Sequence, residues 1–349
     1  MSKFFLFAGE LSGDKLGESI MKKLQGHELL GVGGPKMRAQ GLKCTIPTES
    51  FLVMGFIDIL KHLPRLCFLF YKIRKQILKG QIDTVILIDY AEFNLKLASS
   101  LRKKGYRGKI IQYVCPSVWA WRKHRIEIME STLDEVMTLF PFEVECFTKL
   151  KATFVGHPLA KLPLIEREPK YLTIFPGSRT KEIQRNLPLQ LKVAKRLSQH
   201  IAISVSHDKH RTLIEKLAPG VLLFSGSSII KETESAIATS GTICLELALA
   251  KVPTLVTYAI TPLDLFIAQK IFKIKLPHYC IVNIIAGKEL FPEFFGPHFT
   301  EENLMKGFKT LSKEAVETNC DHLRKILSGS ENDFSVYSLR QENYVKNLH

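Results

Sequence analysis

Two turns in this chain have the residue types that hold phosphate. The apolar run Tyr171-Leu172-Thr173-Ile174-Phe175 leads into Pro176-Gly177-Ser178-Arg179, and a helical pattern follows. Glycine permits a tight turn from strand to helix. The first N–H groups of that helix and its dipole favour an anion, and a guanidinium can fork onto phosphate oxygens. The Gly-Lys-Ser/Thr ending of a P-loop is absent, and Pro-Gly-Ser is also an ordinary turn. Ser240-Gly241-Thr242 repeats the same arrangement. Ser240 and Thr242 stand where helix caps belong. Glu246 lies one turn beyond Thr242 on the same face, where its carboxylate can accept both hydroxyls of a ribose. Each turn alone also reads as a plain capped helix. Two in one stretch point to a nucleoside diphosphate.

Carboxylates and aromatics mark the first half. Asp89-Tyr90-Ala91-Glu92-Phe93-Asn94 ends the apolar run Val85–Ile88. Asp89 or Glu92 is a candidate general base at a strand end; the alternative is a cap on the next helix. Both tryptophans fall in Pro116-Ser117-Val118-Trp119-Ala120-Trp121-Arg122. Indole faces pack on sugar C–H surfaces and Arg122 suits phosphate; the alternative is a loop anchored by buried rings. Gly9-Glu10-Leu11-Ser12-Gly13-Asp14 and Gly31-Val32-Gly33-Gly34 are small-residue turns that admit a bulky ligand. Neither fits G-x-G-x-x-G with a later acidic residue, which disfavours a dehydrogenase-type dinucleotide site.

These groups need a frame. Strands are expected at Phe4–Ala8, Thr84–Ile88, Lys109–Val114, Glu135–Leu139 and Thr153–Val155, with helices at Lys15–Leu24, Leu95–Lys104 and Phe142–Leu150. Gly156–Lys170 holds three prolines and mixed charges and reads as a linker. Strands then resume at Tyr171–Phe175, Ile201–Val205, Val221–Phe224, Ala236–Ala238 and Thr254–Val256, and the last forty residues are charged and helical. Strand–helix alternation of this kind predicts an α/β fold with two doubly wound parallel sheets, whose ligands bind at the carboxyl ends of the strands.

The 349 residues carry a net charge of +15. A basic surface suits anionic partners such as phospholipid headgroups or nucleotides. No zinc finger, RNP-like aromatic motif or basic tail argues for nucleic acid. The seven cysteines include no C-x-x-C pair, which fits a reducing cytosol and no zinc site. The apolar start Phe4–Ala8 is too short for a signal peptide, and no run approaches the roughly 18 apolar residues of a spanning helix. Val53, Phe56, Ile57, Leu60 and Leu63 recur at helical spacing before Phe68, with Lys61 and Arg65 between them and Lys72 and Lys75 just beyond. Leu263–Lys275 repeats the pattern. Basic amphipathic helices bind anionic bilayers, although a core-facing helix has the same period.

Taken in order, these motifs resemble the lipid-A-disaccharide synthase family. The matching pieces are Gly9-Glu10-x-Ser12-Gly13-Asp14, Gly33-Gly34-Pro35-x-Met37, Val53-Met54-Gly55, the Pro116–Arg122 block, Pro176–Arg179 with Glu182, Ser240–Thr242 with Leu245-Glu246, and Asn283 with Ala286-Gly287. The Trp-Ala-Trp-Arg block is the most specific. The resemblance implies a GT-B architecture, with two Rossmann-like domains facing across a cleft. It assigns residues 1–165 to an N-terminal acceptor and membrane domain and 166–324 to the UDP-sugar domain. Helices over 325–349 complete the first domain, on their own chain or on a partner's in a homodimer.

The resemblance further implies an inverting, metal-independent glycosyltransferase without a cofactor. It condenses UDP-2,3-diacylglucosamine with 2,3-diacylglucosamine 1-phosphate (lipid X) to the β-1,6-linked disaccharide 1-phosphate and UDP. Gly177, Ser178, Arg179, Ser240, Gly241, Thr242, Glu246 and Asn283 would hold UDP. Glu10, Ser12, Asp14, Trp119, Trp121 and Arg122 would line the substrate side. The enzyme would sit in the cytoplasm on the inner face of the inner membrane, against its anionic phospholipids. Family members read Asp-x-Pro-Asp-Phe where this chain has Asp89-Tyr90-Ala91-Glu92-Phe93; of the two carboxylates, Glu92 is the expected base. A family Gln is replaced by Gly296. Another UDP-sugar enzyme of this architecture, an N-acetylglucosamine epimerase or the peptidoglycan glycosyltransferase, would share the Ser-Gly-Thr…Glu pattern, as would a non-catalytic binder.

Overall fold

A computed structural model describes residues 1–51, 56–119, 124–266 and 276–329, with side chains throughout except at 56–62 and 263. Contacts divide the chain into two compact units, Met1–Gly156 to which the chain returns at Gly329, and His157–Ser328. The division precedes the proline-bearing linker, which belongs to the second unit. Of the expected completing segment 325–349, residues 325–328 end a helix of the second unit, and 330–349 lie outside the described residues.

In the first unit the strands are β1 (Lys3–Ala8), β2 (Glu28–Gly33), β3 (Lys43–Pro47), β4 (Thr84–Ile88), β5 (Lys109–Tyr113), β6 (Glu135–Thr138) and β7 (Lys151–Phe154). Its helices are α1 (Leu11–Lys23), α2 (Pro35–Ala39), α3 (Phe56–Lys79), α4 (Ala91–Lys103) and α5 (His124–Thr132). The sheet is parallel, in the order β3-β2-β1-β4-β5-β6-β7. Side chains alternate across a strand, so Phe5 and Phe7 join one core with Ile73 and Leu97, while Phe4, Leu6 and Ala8 join another with Ile20 and Met37. A strand covered on both faces is apolar along its buried length, which is why Phe4–Ala8 of β1 and Val85–Ile88 of β4 are continuous apolar runs. Gly31 sits at φ +144°, and a Cβ there would lie 1.9 Å from the Leu6 carbonyl oxygen, so β2 admits only glycine at that crossing.

The second unit contains β8 (Tyr171–Phe175), β9 (Ile201–Val205), β10 (Leu222–Ser225), β11 (Thr233–Thr239), β12 (Thr254–Tyr258) and β13 (Glu293–Phe295). Its helices are α6 (Thr180–Leu197), α7 (Arg211–Leu217), α8 (Thr242–Leu249), α9 (Pro262–Phe266), α10 (Ile281–Ala286), α11 (Glu301–Lys309) and α12 (Lys313–Ser328). The parallel order is β10-β9-β8-β11-β12-β13. Each sheet therefore reverses its strand order at one place, between β1 and β4 in the first unit and between β8 and β11 in the second. That reversal opens a crevice at the carboxyl ends of the flanking strands.

Three local expectations differ. The helix expected at Phe142–Leu150 is only a 3-10 turn at Pro141–Cys146. Glu130 Oε1 takes the Thr148 and Lys149 amides at 2.9 and 2.8 Å, so those groups are not available to a helix. Strands β2, β3 and β13 were not expected; they are short, glycine-bearing or polar, and owe their state to pairing with the neighbouring strand. Helices α1 and α4 begin four residues earlier than expected, at Leu11 and Ala91, directly after their strands.

Candidate functional site

At the switch point of the second unit the two phosphate-type turns meet. Pro176–Arg179 follows β8, and Ser240–Thr242 follows β11. Together with Glu182 and Glu246 they line one cavity of about 450 Å³, within the usual range for small ligands. Gly177 sits at φ +113°, and a Cβ there would press on Glu182 at 3.0 Å. The turn is fixed from behind: Ser206 Oγ donates to the Gly177 carbonyl at 3.2 Å, and buried His210 places Nε2 at 3.1 Å from the Ser178 carbonyl.

The two helix starts differ. At α6 the Ser178 and Arg179 amides both donate to Glu182 Oε2 at 3.2 Å, and Arg179 Nη1 donates to Glu182 Oε1 at 2.6 Å. Glu182 thus closes that terminus upon itself. The Arg179 side chain is 79% exposed, able to swing to a ligand. At α8 the N-cap is Gly241, and no side chain caps it. Its first amides and dipole face the cavity as an open anion site, with Glu246 one turn behind.

The switch point of the first unit carries a different chemistry. Glu10 follows β1 and Asp89 follows β4. Both line a cavity of about 710 Å³ whose other walls are mainly apolar: Leu63, Leu66, Cys67 and Phe70 from α3, and Phe93 from α4. Partial burial and the Asp89 charge raise the Glu10 carboxyl above its usual range. Ser12 Oγ donates to Asp89 Oδ2 at 3.4 Å. The backbone at Asp89 and Tyr90 is left-handed, φ 53° and 41°, a costly state for residues other than glycine. Two buried amides hold it. Asn94 Nδ2 and Gln112 Nε2 both donate to the Asp89 carbonyl, at 2.5 and 2.9 Å. Glu92, in the first turn of α4, is paired with the Arg125 guanidinium of α5.

Other expected residues have different surroundings. Asp14 is buried, and its carboxylate accepts from the Gly34, Lys36 and Met37 amides at 2.8, 3.0 and 3.0 Å, capping α2. Asn283 is fully buried; it accepts from Leu290 and Phe291 amides and donates to the Phe291 carbonyl. Neither joins the residues lining its unit's switch-point cavity. Trp119 meets Phe142 edge-on at 5.2 Å, beside buried Glu143. Trp121, Arg122 and Val53 lie outside the described residues, as do the side chains of Phe56, Ile57 and Leu60 and most of Leu263–Lys275. Leu63 and Phe68 are exposed, with Tyr71 beside them, whereas Leu69, Ile73 and Ile77 of the same helix enter the core. Among the described residues no helix is long and apolar enough to cross a membrane.

Sequence reasoning missed Ser204, Ser206, His210, Asn94, Gln112 and Arg125. For three of them a signal existed. Ser204 and Ser206 are polar at period two at the end of an apolar strand, and Gln112 interrupts the apolar run of β5; polar groups in such places are there to bond something.

The family model described as Lipid-A-disaccharide synthetase matches residues 4–341. A lipid-A-disaccharide synthase of Chlamydia trachomatis serovar D is 36% identical over 357 residues, covering 92% of this chain and 59% of its own. One from Acidobacterium capsulatum is 28% identical over 370 residues, covering 93% and 91%. The chain thus spans about 59% of the length of the chlamydial relative. Among solved structures, the S. aureus MnaA-UDP co-structure superposes with a TM-score of 0.60 at 12% identity, covering 100% of this chain and 98% of that one. The two-sheet architecture is that of the GT-B fold.

Proposed function

This chain belongs to the lipid-A-disaccharide synthetase family, and from that premise we propose that it is a glycosyltransferase joining UDP-2,3-diacylglucosamine to 2,3-diacylglucosamine 1-phosphate. The observation that carries this reading is the convergence of Pro176–Arg179, Ser240–Thr242 and Glu246 on one cavity. The open start of α8 suits the diphosphate, Arg179 can leave Glu182 for a phosphate oxygen, and Glu246 suits a ribose diol. The donor therefore belongs to the second unit. The acceptor belongs to the first, where an apolar cavity ends in carboxylates, as an acylated sugar requires.

In the transfer, the acceptor 6-hydroxyl oxygen attacks the anomeric carbon of the donor. The bond from that carbon to the β-phosphate oxygen breaks, and UDP departs with the electron pair. The hydroxyl proton passes to a carboxylate. We assign this base to Asp89 rather than Glu92. Asp89 ends β4 at the switch point in a rigidly held turn, and Ser12 orients it, whereas Glu92 is engaged by Arg125. Charge building on UDP is stabilised by the α8 amides, donors fixed before reaction, and by Arg179 once it has left Glu182. Leu63, Phe68 and Tyr71, exposed among Arg65, Lys72 and Lys75, support attachment of α3 to an anionic membrane surface where both lipids reside.

The donor assignment is tested by calorimetric titration with UDP. Glu246→Ala should weaken UDP binding about tenfold, the loss of roughly 1.4 kcal/mol, with the fold intact by circular dichroism. Unchanged affinity would remove Glu246, and with it the ribose assignment.

A further inference from the structure

Beside the apolar cavity of the first unit lies a second one, of about 530 Å³, between α3, α4 and α5. The two share Phe70, Glu92 and Lys96, so they abut along one seam. The chemistry changes across it. On α4, the face repeating at i, i+4, i+7 and i+11 presents Glu92, Lys96, Ser99 and Lys103. From α5 come His124 and Arg125. Apart from His124, three cations face one carboxylate.

The Glu92–Arg125 pair is lopsided. The Arg125 side chain is 10% exposed and the Glu92 side chain 60%. The buried member is the fixed cation, and the exposed member is the anion that can turn away. Lys96 and Lys103 have no carboxylate within ion-pair distance among the described residues. Ser100 on the same wall accepts from Arg74 Nη1 at 2.8 Å, which adds a further positive charge nearby. A cavity with a buried arginine, unneutralised lysines and hydroxyls is built for a compact, multiply charged oxyanion.

We infer that this cavity holds the phosphate monoester of the lipid acceptor, with Arg125, Lys96 and Lys103 as its ligands and Glu92 as the group it displaces from Arg125. The inference rests on the proposed acceptor, whose acyl chains occupy the adjoining apolar cavity and whose reacting hydroxyl meets Asp89. It gives Glu92 a part in phosphate entry instead of proton removal. It also makes the phosphate a handle that fixes which end of the sugar reaches Asp89.

The test is equilibrium binding of radiolabelled 2,3-diacylglucosamine 1-phosphate, and of the same lipid without phosphate, to the full-length protein in mild detergent. Lys96→Gln and Lys103→Gln change exposed helix positions and leave the buried Arg125 untouched, so a folding failure is not the readout. Wild type should prefer the phosphorylated lipid by about tenfold or more. The double variant should lose most of that preference, with affinity for UDP and for the phosphate-free lipid unchanged. Inorganic phosphate at millimolar concentration should compete in wild type and not in the double variant. Equal affinity of wild type for both lipids, or a preference retained in the double variant, overturns the assignment. Displacement of the phosphorylated lipid by dihexanoyl phosphatidylglycerol as readily as by unlabelled acceptor also overturns it, because the site would then be a general contact for phospholipid headgroups. Turnover is scored separately: phosphate-dependent lipid binding without any disaccharide formed would sink the proposed reaction and leave this cavity assignment standing.

Discussion

Asp89 is held in the left-handed region by the side-chain amides of Asn94 and Gln112, which both donate to its carbonyl. Asn94→Ala should therefore cost about 1–3 kcal/mol, the penalty for leaving buried polar groups unpaired, measured by urea unfolding. It should also lower kcat while leaving UDP affinity unchanged, because the turn that aims the carboxylate would relax. A stable variant with full activity would show that the turn is not held this way. Buried Glu143 makes a second, independent prediction. Burial raises its carboxyl from an ordinary 4.5 to about 7. The folded state then binds a proton that the unfolded state has released, so stability falls as pH rises from about 4.5 to 7, by up to roughly 3 kcal/mol. Glu143→Gln should flatten that part of the stability–pH profile; an unaltered slope would exclude Glu143 as its source. At this scale the sequence was readable where chemistry is local. Pro176–Arg179 and Ser240–Thr242 each sit within one strand–turn–helix unit, so spacing alone reveals them. The Glu92–Arg125 pair joins residues 33 apart through the packing of α4 on α5, and no spacing rule foretells it.

Helix α3 answers to two environments. Its inward residues Leu69, Ile73 and Ile77 belong to the core, while Leu63, Phe68 and Tyr71 remain exposed. The sequence period marks such a helix as amphipathic but leaves its extra apolar surface unexplained, since one stripe satisfies a core. Replacing Leu63 and Phe68 with Ser should reduce cosedimentation with phosphatidylglycerol vesicles severalfold, because burial of large apolar groups supplies much of such binding, while the thermal midpoint stays within a few degrees. Undiminished cosedimentation would place the membrane contact elsewhere. The strands divide in the same way. Those at the centre of each sheet, β1, β4 and β8, are legible as apolar runs, and β11 only through its buried Ala236–Ala238. Edge strands β3 and β13 carry Lys43, Thr45 and Glu293 and become strands only by pairing. The 3-10 turn at Pro141–Cys146 escaped notice because Glu130, from another helix, holds the amides that follow it.

For the whole molecule, two sheets carry the same kind of switch point, and in the proposed reading they divide the labour: one offers an open helix start and hydroxyls to a nucleotide, the other an apolar cavity with carboxylates and a basic annex to a lipid phosphate. The strand order that creates both crevices follows from the parallel, doubly wound topology, which alternating apolar and amphipathic runs foretold; the division at residues 156/157 was less legible, because prolines and charges continue well past it. The net charge of +15 makes attraction to anionic lipid screenable. Raising salt from about 0.05 to 0.5 M shortens the Debye length severalfold, so vesicle binding should weaken. The most direct test of the central claim is the reaction itself. Purified protein is incubated in mild detergent with UDP-2,3-diacylglucosamine and 2,3-diacylglucosamine 1-phosphate, and the lipids are resolved by mass spectrometry. The account predicts a tetra-acyl disaccharide monophosphate with release of one UDP per disaccharide, lost in Asp89→Asn. UDP binding with no disaccharide formed would contradict it.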